Sequence, residues 1–199
     1  MKNGSVYYIN LSQDDFKLGG SSFAQTQNKI GTETPTIKNA VFFKNAFNSI
    51  QDLIKNNQIV AGHDIGSGGL ITTLMELSFS PLTSIEENFG LIEAGMNISF
   101  KDFKEKDLIK ILFSENIGLV LQAKDDSVFE NKLTNNQIEF FKIGSVNDSG
   151  YLEIDDLKLK VADFRKTWFE TSFLLDQKQT KNNKARERFD NFDKQVLEF

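Results

Sequence analysis

Cysteine is absent from the 199 residues, so neither a disulfide nor a thiolate metal site can form within this chain. Histidine occurs once, which excludes a zinc site built on several imidazoles. With no Cys nucleophile available, and with the lone His63 beside Asp64 rather than near a nucleophile elbow, no covalent catalytic set can be argued. Proline occurs twice and tryptophan once. No apolar run approaches the roughly 20 residues of a membrane span, and Met1-Lys2-Asn3-Gly4 enters a strand-like segment without the character of a signal peptide. The expectation is a cytoplasmic protein with no membrane partner. A net charge of -5 lacks the clustered Lys and Arg that general nucleic-acid binding requires, so no nucleic acid is expected as a partner. A site for one nucleotide needs no such excess.

What is present in excess is phenylalanine, 19 residues of it, which calls for an aromatic core and some aromatic surface. A hydrophobic content of 39% with 26% charged residues is that of a globular chain, long enough for one good core or at most two small domains. Ser5 to Leu11 reads as a strand. Leu18-Gly19-Gly20-Ser21-Ser22 then leads into a short helix, with Ser21 or Ser22 as N-cap and Gly31 as the stop. Between Ile37 and Lys55 the apolar residues recur near every 3.6 positions, an amphipathic helix. Ile59 to Gly62 is a short strand ending in His63-Asp64, and the Gly66-Ser67-Gly68-Gly69 turn opens a helix that carries Leu70, Leu74 and Leu77 to about Phe79.

Beyond an irregular Pro81–Gly90 stretch, strands are expected at Met96–Phe100, Leu119–Ala123 and Ile138–Gly144. A hairpin is expected around Asp155-Asp156, and helices at about Glu105–Phe113, Ser127–Asn135 and Asp163–Gln177. From Lys178 to Phe199 the chain turns highly charged with isolated apolar residues, a solvated helix or an arm whose aromatics dock elsewhere. One α+β domain over 1–177 with a tail over 178–199 is the simplest partition.

Two stretches place glycines at a helix start. The first turn of a helix leaves backbone N–H groups unpaired and partly positive, and glycine lets a phosphate approach them. A neighbouring carboxylate can hold the Mg²⁺ of a polyphosphate. Gly66, Ser67, Gly68 and Gly69, and also Gly19, Gly20 and Ser21, are therefore candidates for nucleotide binding, with Asp64 as the metal ligand. Neither loop matches a P-loop or dinucleotide motif, and each also reads as an ordinary tight turn into a capped helix.

Leu18-Gly19-Gly20-Ser21-Ser22-Phe23-Ala24-Gln25, His63-Asp64-Ile65-Gly66-Ser67-Gly68-Gly69-Leu70 and Phe113-Ser114-Glu115-Asn116-Ile117-Gly118-Leu119-Val120-Leu121-Gln122, in this order, closely resemble the last synthetase subdomain of the large phosphoribosylformylglycinamidine synthases. The resemblance covers nearly the whole chain and implies an aminoimidazole ribonucleotide synthetase C-terminal-domain-like fold: three α/β/α layers on a mixed sheet. It also implies a piece of an ATP- and glutamine-dependent ligase of purine biosynthesis that amidates formylglycinamide ribonucleotide. Its partners would be the remaining synthetase subdomains and the glutaminase domain, toward which residues 178–199 would connect. The piece alone would be inactive and hold no catalytic residue.

Asp64 falls on a magnesium ligand of an auxiliary ATP/ADP site in that family. Family loops usually read Asp-x-Ser-Asp-Gly-Gly. Here Gly66 replaces the serine that touches nucleotide, and Ser67 replaces the second aspartate. Two other readings stand: a non-catalytic binding module of the same fold, and a related ATP-dependent synthetase making aminoimidazole ribonucleotide or selenophosphate. The turn containing Glu115 and Gly118 reads as a connection between helix and strand.

Overall fold

A computed structural model describes residues 4–80 and 94–191. Its centre is β1 (Gly4–Asn10), where Val6 and Tyr8 face one side of the sheet and Tyr7 and Ile9 the other, all four at most 1% exposed. A strand apolar on both faces needs a layer of helices on each. The sheet has seven strands in the order β2 (Ile59–Asp64), β4 (Gly118–Ala123), β1, β5 (Phe141–Asn147), β3 (Gly95–Ile98), β6 (Tyr151–Ile154) and β7 (Leu157–Lys160). Among the described residues only β3 and β6 run parallel and every other pair is antiparallel, so the sheet is mixed.

On one face, α3 (Gly69–Ser78), α4 (Leu108–Phe113) and the start of α6 (Val161–Gln179) pack Leu70, Leu74, Ile111, Leu112 and Val161 against Val6, Tyr8 and Val120. Opposite, α2 (Ala40–Lys55) and α5 (Asp126–Asn135) bring Ala46, Ile50, Leu53, Phe129 and Leu133 onto Tyr7, Ile9 and Leu121. The phenylalanines concentrate here. Tyr8, Phe16, Phe103 and Phe141 form one aromatic group, and Tyr7, Phe129 and Phe140 form another. The three-layer α+β arrangement is the one expected.

Several boundaries move, each for a local reason. The helix expected from Glu105 begins at Leu108, because the Asp107 side chain accepts the N–H groups of Ile109 and Lys110 as an N-cap. The strand expected at Ile138 begins at Phe141, since Ile138 still bonds back to Leu133 and is buried at the end of α5. Strand β3 stops at Ile98, and Phe100 turns into a loop where Phe103 N–H donates to its carbonyl at 3.0 Å. The first helix, α1, is only Ser22–Thr26, capped by Ser21 as expected, and Gly31 lies beyond it.

The division placed at 177/178 falls inside α6. Beyond it, α7 (Lys184–Asn191) folds back on α6, with Phe189 stacked on Phe173 at 4.5 Å and Arg188 paired with Asp176 at 2.6 Å. The irregular stretch read at Pro81–Gly90 and the last apolar residues of the tail lie outside the described residues.

Candidate functional site

The two glycine loops meet on one rim of the sheet, each after a strand and before a helix. The first loop is tied into its own surroundings. Gly19 N–H donates to Glu33 O at 2.9 Å, Gly20 N–H to Ile30 O at 2.7 Å and Ser21 N–H to Leu18 O at 3.2 Å. The Ser21 hydroxyl donates to Leu18 O and accepts from Ala24 N–H. Gly19 is required by close approach, because a Cβ there would lie 2.2 Å from Glu33 O. As placed, the backbone donors of Gly19, Gly20 and Ser21 are spent within the chain.

The second loop is different. Gly68 and Gly69 take positive φ, 89° and 75°, to turn the strand into α3. Gly69 N–H closes the turn on Gly66 O at 3.1 Å. Gly66 has an ordinary φ, and a Cβ on it would meet nothing within 4 Å. Among the described residues, the N–H groups of Gly66 and Ser67 make no hydrogen bond. Two adjacent donors in an exposed turn are thus unpaired, two and three residues after Asp64, whose side chain is 82% exposed.

Glu115 joins the loops. Its Oε1 accepts Ser22 N–H at 2.7 Å and Gly68 N–H at 2.8 Å. Burial pushes this carboxyl upward, but the Ser22 and Gly68 N–H bonds outweigh it and hold the group below the usual glutamate range. The turn expected as a plain helix-to-strand connection is thus also the tie between the two loops. Asn116, buried beside it, donates to Ser12 Oγ, Asp14 O and Asp15 O and fixes the loop after β1. No periodicity reveals either residue; their signals in the sequence are a polar pair at a helix-to-strand corner and their place in one of the stretches that carry the family resemblance.

His63 is tied into the scaffold through both ring nitrogens. Its Nδ1 lies 2.5 Å from Asp64 O, and its Nε2 lies 3.2 Å from Glu76 Oε2. Glu76 Oε1 in turn accepts Trp168 Nε1–H at 3.0 Å, linking β2, α3 and α6. Among the described residues no group of three or more His, Asp or Glu side chains converges as a cation cage. Asp64 alone fits Mg²⁺ only in the form that ion favours, one or two carboxylates with phosphate oxygens and water completing the shell. A cavity of about 630 Å³ lies beside Asp14, Phe16, Lys38, Phe103 and Glu139, and none of the expected site residues lines it.

Residues 10–156 match the family described as AIR synthase related protein, C-terminal domain. The chain belongs to this family. It is 34% identical over 185 residues to the probable phosphoribosylformylglycinamidine synthase, chloroplastic/mitochondrial, of Arabidopsis thaliana, covering 89% of this chain and 12% of that protein. It is 31% identical over 190 residues to the phosphoribosylformylglycinamidine synthase of Dictyostelium discoideum, with 86% of this chain and 14% of that protein covered.

Among solved structures, T. maritima PurL complexed with FGAR superposes with a TM-score of 0.54 at 14% identity, over 80% of this chain and 27% of that one. The same protein complexed with AMPPCP gives 0.51 at 10% identity, over 80% and 25%. These likenesses establish the fold. The chain therefore spans only about an eighth of the length of the curated relatives it matches, and the implied family and three-layer fold are those observed.

Proposed function

We propose that this chain serves as the last synthetase subdomain of a phosphoribosylformylglycinamidine synthase. In that whole protein, ATP would phosphorylate the formyl oxygen of formylglycinamide ribonucleotide, ammonia released from glutamine would attack, and phosphate would leave. ATP is needed because an amide oxygen leaves poorly until it is phosphorylated. The part proposed for this chain is an auxiliary Mg²⁺-nucleotide site rather than the reacting groups. The Gly66 and Ser67 N–H groups would meet phosphate, Asp64 would hold the metal, Gly68 and Gly69 would form the turn, and Gly19, Gly20 and Ser21 would form a fixed wall.

The observation that carries this reading is the pair of open N–H groups at Gly66 and Ser67 beside exposed Asp64. The AMPPCP complex of the structural neighbour supports a nucleotide role for the fold. The chain alone would turn over no substrate. Its partners would be the other synthetase subdomains and the glutaminase domain. In support, α6 leaves Phe164, Trp168, Leu174 and Leu175 between 43% and 57% exposed.

A second reading, a non-catalytic module of the same fold, is favoured by the first loop, whose donors are already spent. Titration calorimetry with ADP and Mg²⁺ separates the two. The expected result is magnesium-dependent binding that Asp64→Asn weakens by about tenfold or more without a change in thermal stability. Equal affinity in the variant would sink the metal-ligand assignment, and the absence of any binding would favour the module.

A further inference from the structure

Two carboxylates flank the open part of the second loop. Asp64 stands two residues before Gly66, and Glu115 touches Gly68 two residues after it. The three segments that meet at Glu115 are far apart in sequence, by 93 residues to Ser22 and 47 to Gly68. An ionised carboxylate only accepts, so one oxygen can serve both N–H groups, and its charge strengthens each bond. The Glu115 backbone cannot drift from that position. Asn116 anchors it to Ser12, Asp14 and Asp15, and on the other side Gly69 packs so closely that a Cβ would lie 2.7–2.8 Å from Leu112 O, Phe113 C and Ser114 O.

A phosphate at the Ser67 N–H would sit one residue from the Gly68 N–H that Glu115 accepts at 2.8 Å and three residues from Asp64, so both carboxylates border the place where its charge would be. Like charges so placed repel unless a cation stands between them.

We propose that Glu115 is the positioning residue of this site: it pins the N-terminus of α3 to the first loop, and its fixed charge makes the second loop refuse bare polyphosphate and accept its magnesium complex. The second half of this statement rests on the nucleotide reading above; the first half does not.

The test compares the full chain with Glu115→Gln and Glu115→Ala, by calorimetry with ADP in Mg²⁺ or in EDTA and by amide hydrogen exchange. In the native chain, ADP is expected to bind about tenfold or more tighter with Mg²⁺ than without it. Glu115→Gln keeps an acceptor oxygen without the charge, so Ser22 and Gly68 should stay better protected from exchange than in Glu115→Ala while the advantage of Mg²⁺ falls toward unity. Glu115→Ala frees both donors, and exchange should rise together at Ser22 and Gly68 with the rest of the sheet unchanged.

A Glu115→Gln protein that keeps the native Mg²⁺ advantage overturns the charge role. Unchanged exchange at the two loops in Glu115→Ala overturns the pinning. If none of the three proteins binds ADP in either form, the nucleotide reading and the charge role fail together, and the exchange result alone upholds or overturns the pinning.

Discussion

At the scale of single residues, two glycines that look alike in the sequence do opposite things. Gly19 is a packing glycine with no room for a methyl group, whereas Gly66 faces open space at an ordinary φ. Gly19→Ala should therefore cost on the order of 3 kcal/mol, because the obstacle is a backbone carbonyl that cannot rotate aside. Gly66→Ala should change stability by no more than about 0.5 kcal/mol. The same methyl should lower Mg²⁺-ADP affinity, since it would fill the space a phosphate needs. Chemical denaturation and calorimetry on the two variants give both answers, and a Gly66→Ala protein that binds as the native chain does would remove Gly66 from the site. The positions of both loops were legible in the sequence, since glycines at a helix start leave a plain signature. Which donors were already spent was not, because that depends on how the chain just beyond α1 folds back through Ile30 and Glu33 and on Glu115, far along the chain.

Elements were legible where one physical signal dominated. The period of α2 and the continuous apolar run of β1 come from burial of one helical stripe and of both strand faces, and these set their limits well. Ends were less legible where a cap decided them. Asp107 and Asp125 stop their helices from starting earlier by accepting N–H groups of the first turn. Asp125→Ala should cost about 1 kcal/mol, a fall of roughly 2–4 °C in Tm for a chain of this size. Helix α5 presses the fully buried Phe129 and Leu133 into one core, so a larger loss would show that the cap also registers these side chains. The charged tail is an element of a different kind. Its composition reads as solvated surface, yet Phe189 and Arg188 bind it to α6 through one stacked ring pair and one forked ion pair.

For the whole molecule, three carboxylates in separate places share one behaviour. Asp14, Glu115 and Asp126 are each pushed upward by burial and held below their usual range by stronger opposing partners. The partners are Lys17 and the Thr36 N–H for Asp14, the Ser22 and Gly68 N–H groups for Glu115, and Lys142 and the Ser5 hydroxyl for Asp126. Lowered folded-state values add stability that is complete above the unfolded pKa and is lost as pH falls through the folded one. Thermal stability should stay level from neutral pH down to about 5 and fall below about 4, and Glu115→Gln should flatten that fall. A melting series in which the variant and the native chain decline in parallel would deny Glu115 its share.

The order of strands has a consequence for synthesis. Within this chain β1 precedes both of its partners: Asn10 pairs with Gly118 and Gly4 with Val146, so neither of its edges is satisfied until β4 and β5 have been made. Such distant pairing slows folding and leaves Val6-Tyr7-Tyr8-Ile9 as an apolar segment without partners during translation. Until β5 has emerged, that segment is open to aggregation or to capture by a chaperone.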